Sequence, residues 1–120
     1  MLDLRPSASP KVAAVVVAAG RGARVGGDSP KQYRELAGTT VLRRTLEAFA
    51  REPRVHCIQP VIGAGDEGLF DAAAAGLGLL APAHGGASRQ ASVLAGLRAL
   101  RSQTPDIVLI HDGGRPFVDA

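Results

Sequence analysis

The residues with the clearest potential for chemistry lie in one glycine-rich segment, VVVAAGRGARVGGDSPKQY, at positions 15–33. Glycines free this backbone to adopt positive φ and to approach a ligand closely, because no Cβ stands in the way. Successive backbone N–H groups in such a loop point inward and form a cradle for an anion. Arg21, Arg24 and Lys31 add positive charge to the same loop. The segment therefore predicts a site for a polyphosphate.

The glycine spacing matches neither of the two familiar phosphate-binding loops. No Gly-Lys-Ser/Thr follows the glycines, as a Walker A loop requires, and Val25 stands where a dinucleotide fingerprint has its third glycine. A flexible turn with solvated charges is thus the alternative interpretation.

Two further polar clusters follow later in the chain: a GGASRQAS turn at residues 85–92, and His111-Asp112. Asp112 suits a Mg²⁺ ligand beside a nucleoside triphosphate, or a turn residue that accepts backbone N–H bonds. The turn offers helix N-terminal donors to an anion, or is merely a helix start capped by Ser88. His111 has two interpretations, a proton shuttle or a histidine at the strand end that positions Asp112, and we favour the second.

The elements that must position these clusters alternate along the chain. Strands are predicted at Val12–Ala19, 55–62, 79–83 and 106–111, and Pro60 indicates an edge position or an early end for the second strand. Helices are predicted from Thr39 or Thr40 to about Arg51, over 67–77 with Leu69, Phe70 and Ala73 inward, and after Ser88. The last of these should bury the stripe Ala91, Leu94, Leu97 and Leu100.

This alternation predicts an α/β fold, a Rossmann-like and mostly parallel sheet with flanking helices. In such sheets ligands bind beyond the carboxyl ends of the strands, where all three polar clusters fall. We therefore expect the clusters to form one site.

The amino-acid composition indicates which kind of ligand the protein binds and in which cellular compartment it works. The 120 residues suit one domain, and the net charge of +3 comes from scattered arginines with only 3% aromatic residues, which favours small anions over nucleic acid. No apolar run approaches the length of a membrane span. Cys57 is the single cysteine, which predicts a cytoplasmic protein without disulfides. His56, His84 and Cys57 do not have zinc-ligand spacing.

Three strings, AAGRGARVGGDSPKQY, GGASRQASVLAGL and LIHDGGRPFV, resemble in order and spacing the 2-C-methyl-D-erythritol 4-phosphate cytidylyltransferases of the non-mevalonate isoprenoid pathway. The resemblance implies the nucleotide-diphospho-sugar transferase type of fold. It also implies transfer of CMP from CTP to 2-C-methyl-D-erythritol 4-phosphate with release of pyrophosphate.

The same resemblance implies roles for particular residues. Arg24 and Lys31 would stabilise the pentavalent α-phosphate, Asp112 would carry Mg²⁺, and Gly86 and Ser92 would read the cytosine and neighbouring groups. The implied nucleotide site comprises Ala18, Ala19, Gly20, Gly22, Lys31, Gly86, Ser92 and Gly113.

The chain departs from the family pattern in two motifs and in length. Gly113-Gly114 replaces the usual Ala-Ala, and Ala87 stands where many relatives have a polar residue. The N-terminal residues 1–11 lack a signal-peptide core and are predicted to form a disordered lead-in. The resemblance makes residues 12–120 the N-terminal part of one nucleotidyltransferase domain, incomplete at its C-terminus. We expect this CTP-binding half to be inactive alone and the full-length parent to be a homodimer.

Three alternatives stay open at this point. The first is the substrate that accepts CMP, which is methylerythritol phosphate, ribitol 5-phosphate or another sugar phosphate. The second is whether the full-length parent protein is fused to a downstream cyclodiphosphate synthase. The third is whether the chain is part of an enzyme or a non-catalytic nucleotide-binding module.

Overall fold

The computed structural model describes residues 10–19, 33, 35–36 and 39–113. Within them a four-stranded parallel sheet forms the centre of the fold, with helices on both of its faces. The elements in chain order are β1 (Val12–Ala18), β2 (Glu35–Leu36), β3 (Thr39–Thr40), α1 (Val41–Ala50), β4 (Cys57–Ile62), α2 (Glu67–Ala74), β5 (Ala83–His84), α3 (Arg89–Ala99), a 3₁₀ turn (Arg101–Gln103) and β6 (Ile107–Asp112). The sheet order is β5-β4-β1-β6, and β2 and β3 form a separate antiparallel pair. The predicted α/β class is confirmed.

Strand β1 is buried between the two helical layers. Alternate residues of a strand point to opposite faces, and Ala14, Val16 and Ala18 accordingly belong to the core that includes α1 and α2. Ala13 and Val15 belong to the core on the α3 side. A valine-rich strand buried on both faces is what a parallel sheet requires.

Helix α1 forms as its sequence predicts. The Thr40 side-chain oxygen accepts the Arg43 N–H at 3.0 Å, so the predicted N-cap is in place, and the helix ends at Ala50. Leu42, Leu46 and Phe49 are buried against the sheet. The two local signals, a threonine N-cap and apolar residues at helical spacing, therefore predict the same helix and the same buried face that the tertiary packing uses.

The prediction that Pro60 marks an edge position or an early strand end is wrong. Pro60 is buried within β4, opposite Val16 of β1, and β4 lies between β5 and β1. Proline lacks the N–H that a ladder needs, but the side-chain amide of Gln59 donates to the Ala81 carbonyl at 2.9 Å and to the Pro60 carbonyl at 2.8 Å. A neighbouring side chain therefore supplies the donor that proline cannot.

The inward stripe predicted for α3 is wrong for Ala91, Leu94 and Leu97, which are exposed, and is confirmed only for Leu100. The residues that face the sheet are Ser92, Gly96 and Leu100, whereas Leu94 and Leu97 are 46% and 38% exposed. The reason is steric: a Cβ at Gly96 would lie 2.7 Å from Val15 Cγ1, so only a glycine lets the helix approach this closely. The two leucines face away from the sheet. Ile107, Leu109 and Ile110 of β6, the strand at one edge of the sheet, are also at least 42% exposed.

Two element bounds and one side chain differ from expectation between residues 67 and 84. Helix α2 ends at Ala74 because Gly76 takes a positive φ of 81°, and Leu69 is exposed. Strand β5 begins only at Ala83, since Pro82 has no N–H to donate. No helix in the described ranges is long and apolar enough to cross a membrane.

The close approach at Gly96 predicts opposite effects for two helical glycines. Gly96→Ala gains less than about 1 kcal/mol of helix propensity but costs about 1–3 kcal/mol in overpacking against Val15 and Val61. We expect a net loss of about 1–2 kcal/mol in the free energy of unfolding. Gly68 of α2 has no atom within 4 Å of its Cβ position, so Gly68→Ala should gain about 0.5 kcal/mol. Urea unfolding measures both, and stabilisation by both substitutions would contradict the packing argument.

Candidate nucleotide site

The carboxyl ends of the four parallel strands meet at one edge of the sheet. Strand order reverses between β1 and β6: the chain moves from β1 to β4 and β5 on one side, then returns to add β6 on the other. In open α/β sheets this switch point leaves a crevice where ligands bind. Asp112 pairs with Val17 in register there, and the Gly113 N–H donates to the Val17 carbonyl at 2.8 Å.

Small residues pack around the end of β1, where a larger side chain would not fit. A Cβ at Gly113 would lie 2.9 Å from Leu42 Cδ1 and 3.4 Å from Ala18 Cβ. A Cβ at Gly85 would lie only 2.3 Å from Ala19 Cβ. The structure thus brings together Ala18, Ala19 and Gly113, three of the predicted nucleotide-binding residues, and adds Gly85.

The turn before α3 is held by two serines. Ser88 caps the helix, its Oγ accepting the Ala91 N–H at 3.0 Å. Ser92 is 2% exposed, and its Oγ accepts the Gly86 N–H at 3.2 Å. This bond gives Ser92 a defined part in shaping the turn; its contact with a nucleotide, and that of Gly86, remain predictions.

Asp112 forms an ion pair that the sequence did not predict. Its Oδ1 lies 3.2 Å from Nε of Arg89, with side chains 31% and 59% exposed. One sequence signal points to Arg89: a cation in the first turn of a helix opposes the helix dipole, so it needs an anionic partner. The contact ties the start of α3 to the end of β6.

The site fits a hard divalent cation better than a structural metal. Asp112 offers a partly exposed carboxylate, and Mg²⁺ characteristically combines one or two carboxylates with water and phosphate oxygens. In the described part of the chain no group of three or more His, Cys, Asp or Glu residues is placed to hold a metal. His111 packs edge-on against Phe49, with ring centroids 5.6 Å apart.

Tyr33, the last residue of the PKQY motif, is anchored in the core. It is 5% exposed and packs in the cluster on the α1 and α2 side of the sheet. Its hydroxyl has no hydrogen-bond partner among the described residues. Burial raises the pKa of this phenol, and the nearby carboxylates of Asp66 and Glu67 raise it further.

Glu67 forms a contact of its own with His84, whose Nε2 lies 2.7 Å from Glu67 Oε2. The pKa of the Glu67 carboxyl is lowered, first by a hydrogen bond from its own backbone N–H and then by the hydrogen bond with His84.

Four predicted site residues lie outside the described residues. They are Gly20, Gly22, Arg24 and Lys31, and the roles assigned to them remain predictions.

The environment of Tyr33 predicts an alkaline loss of stability. Because the folded-state pKa lies above the ordinary value of 10.0, the folded chain keeps a proton that the unfolded chain loses. The free energy of unfolding should therefore fall above about pH 10, by about 1 kcal/mol per pH unit. Tyr33→Phe removes this dependence and should not weaken the fold at pH 7, because the hydroxyl has no described partner.

The free energy of unfolding is measured by urea unfolding of the wild-type chain and of Tyr33→Phe between pH 8 and pH 11. Other groups that titrate at alkaline pH affect both proteins equally, so their contribution cancels in the difference. Tyr33 is the single tyrosine and there is no tryptophan, so absorbance at 295 nm reports this phenol alone. A tyrosinate signal with an ordinary midpoint in the folded chain would contradict the burial argument.

Comparisons with known proteins agree with this geometry. The family model described as 2-C-methyl-D-erythritol 4-phosphate cytidylyltransferase (IspD) matches residues 12–120. A bifunctional enzyme IspD/IspF of Paramagnetospirillum magneticum is 59% identical over 109 residues, covering 91% of this chain and 28% of the relative. The corresponding protein of Bradyrhizobium diazoefficiens is 57% identical over 110 residues, which are 92% of this chain and 28% of its own.

Solved structures show the same fold. The 4-diphosphocytidyl-2C-methyl-D-erythritol synthase of Anaerococcus prevotii superimposes with a TM-score of 0.76 at 32% identity, over 92% of this chain and 46% of that one. The 2-C-methyl-D-erythritol 4-phosphate cytidylyltransferase of Francisella tularensis gives 0.69 at 29% identity, over 91% and 46%. This chain therefore spans less than half of these structures, and just over a quarter of the curated relatives. By motif, by fold and by the family model, the chain belongs to the 2-C-methyl-D-erythritol 4-phosphate cytidylyltransferase family.

Proposed function

We propose that this chain is the CTP-binding part of an enzyme that transfers CMP from CTP to 2-C-methyl-D-erythritol 4-phosphate and releases pyrophosphate. The observation that supports the proposal best is the convergence at the switch point of the sheet. There the end of β1, the turn at residues 85–92 and Asp112 lie side by side. Family membership supplies the reaction class.

The small residues at this edge are proposed to accept the nucleoside. Ala18, Ala19 and Gly113 carry at most a methyl group, and small side chains let a ligand approach the backbone closely. Gly86 and Ser92 are proposed to read the base from the turn whose shape their own hydrogen bond maintains.

The acceleration of the reaction is proposed to come from positioning the two substrates and from neutralising the negative charge on the phosphates. A phosphate oxygen of the acceptor attacks the α-phosphorus of CTP, a P–O bond forms, and the bond to the pyrophosphate leaving group breaks. Arg24 and Lys31 are proposed to stabilise the negative charge that develops on the α-phosphate. Asp112 is the residue proposed to hold a divalent cation, Mg²⁺, which when bound neutralises charge on the phosphates.

The activity of the whole enzyme is proposed to need more than these 120 residues. The solved relatives are about twice as long as the matched segment, since it covers 46% of each. We propose that the rest of the domain supplies the acceptor site and a dimer contact. We also propose that the parent is bifunctional, as the curated relatives are named, and that it works in the cytoplasm, because Cys57 is a free thiol.

The proposal predicts selective stabilisation by CTP. A ligand that binds only the folded chain raises the free energy of unfolding by about 2.7 kcal/mol at a concentration of 100 Kd. Thermal unfolding with CTP and Mg²⁺ should therefore shift upward, and much less with ATP or GTP. Lys31→Ala should abolish most of the shift. Arg101→Ala, which removes an exposed charge before the amino end of β6, should retain it.

Equal shifts with all three nucleotides would contradict a cytidylyltransferase site and favour a non-selective nucleotide-binding module. No shift in a cooperatively melting chain would show that this part does not bind nucleotide by itself. The acceptor is tested on the full-length parent, with methylerythritol phosphate and ribitol 5-phosphate compared as substrates.

A further inference from the structure

We propose that Arg89 is the resident counter-ion of Asp112: it leaves the carboxylate when a divalent cation arrives, and then contacts the phosphates of the incoming nucleotide. This inference rests on the proposed function, because it takes Asp112 as the metal-binding carboxylate. It assigns Arg89 a role that neither the three motifs nor the fold alone assigns.

The placement of Arg89 supports an exchange of partners. Arg89 is the first residue of α3, directly after the capping residue Ser88. The Ser88–Ala91 and Gly86–Ser92 hydrogen bonds define the backbone on either side of it. The side chain reaches from this base across the crevice to Asp112, which is 23 residues away in the chain. It therefore links the turn to the carboxylate, at the edge of the sheet to which the proposed function assigns the nucleotide.

The strength of the ion pair also suits a contact that breaks. With the Arg89 side chain 59% exposed and that of Asp112 31% exposed, water screens the attraction, and such surface pairs are weak. A guanidinium in the first turn of a helix is moreover opposed by the helix dipole. The pair is thus weak enough for a divalent cation to displace it.

Arg89 and a divalent cation compete for the Asp112 carboxylate, because both are positively charged. A divalent cation on this carboxylate would stand close to a guanidinium that is 3.2 Å from Oδ1, and like charges at such distances repel. The phosphates of a nucleotide offer the displaced guanidinium a better partner, because arginine forms paired, charge-assisted hydrogen bonds with phosphate. The cation and the nucleotide should therefore bind cooperatively, with Arg89 changing partner between them.

The test measures Mn²⁺ and CTP binding separately in the 120-residue chain. Free Mn²⁺ is followed by electron paramagnetic resonance, and CTP at saturating Mn²⁺ by calorimetry. Arg89→Gln should bind Mn²⁺ without nucleotide about two- to fivefold more tightly, since its competitor is gone. The same variant should bind CTP about tenfold more weakly, since a charged hydrogen bond is lost. Arg89→Lys keeps the charge and should lie between wild type and Arg89→Gln in both measurements.

Arg101→Gln makes the same change of charge on an exposed residue before the amino end of β6, and should leave both affinities unchanged. The opposite signs at Arg89 are diagnostic, because a residue that only supported the fold would weaken both ligands. If Arg89→Gln weakens both, or leaves Mn²⁺ binding unchanged, the counter-ion role is overturned. If the glutamine variant does not melt cooperatively, the Arg89→Lys pair of measurements decides in the same way.

Asp112→Asn separates this inference from the function on which it rests. If Asp112→Asn abolishes Mn²⁺ binding while Arg89→Gln does not change it, the inference alone fails and the metal assignment stands. If Asp112→Asn binds Mn²⁺ as well as wild type does, the metal assignment fails, and the role of Arg89 fails with it.

Discussion

Burial of β1 on both faces is the constraint on which the rest of this structure depends. The strand pairs in parallel with β4 on one side and with β6 on the other. Its alternate side chains enter two separate cores, one with α1 and α2 and one with α3. Because both neighbours are parallel to β1, their carboxyl ends emerge together, and the chain must place its polar turns at that edge. The candidate site follows directly from this arrangement.

Close packing of three glycines against neighbouring side chains is the second requirement of the fold. Gly96 lets α3 lie against Val15 and Val61, Gly85 lets the turn meet Ala19, and Gly113 lets β6 end beside Ala18. Each glycine is used here for the absence of a Cβ rather than for an unusual φ. These glycines therefore serve the packing of the sheet edge and of the helix, and a larger residue at any of the three would have to displace its neighbours.

Electrostatics at the site is arranged between partly exposed groups. Arg89 and Asp112 attract each other across the crevice, yet both retain contact with water. Tyr33 presents the opposite case, a buried phenol that stays protonated because burial and two carboxylates disfavour its anion. Tyr33 is held in the core, while the Arg89–Asp112 pair lies at the surface of the described part of the chain.

The sequence by itself determined the family, the α/β alternation, the capping of α1 and α3, and the location of the turn at residues 85–92 and of His111-Asp112 at strand ends. These features depend on local residue order, on the period of the apolar positions and on strand ends, all of which are readable without neighbours. Only the tertiary structure decided which face of α3 is buried, how β4 accommodates Pro60, and that Arg89 meets Asp112. Each of these depends on atoms from a distant segment: the Val15 methyl groups that exclude a larger residue than Gly96, the Ala81 carbonyl that accepts from Gln59, and a carboxylate that offsets an arginine at a helix start.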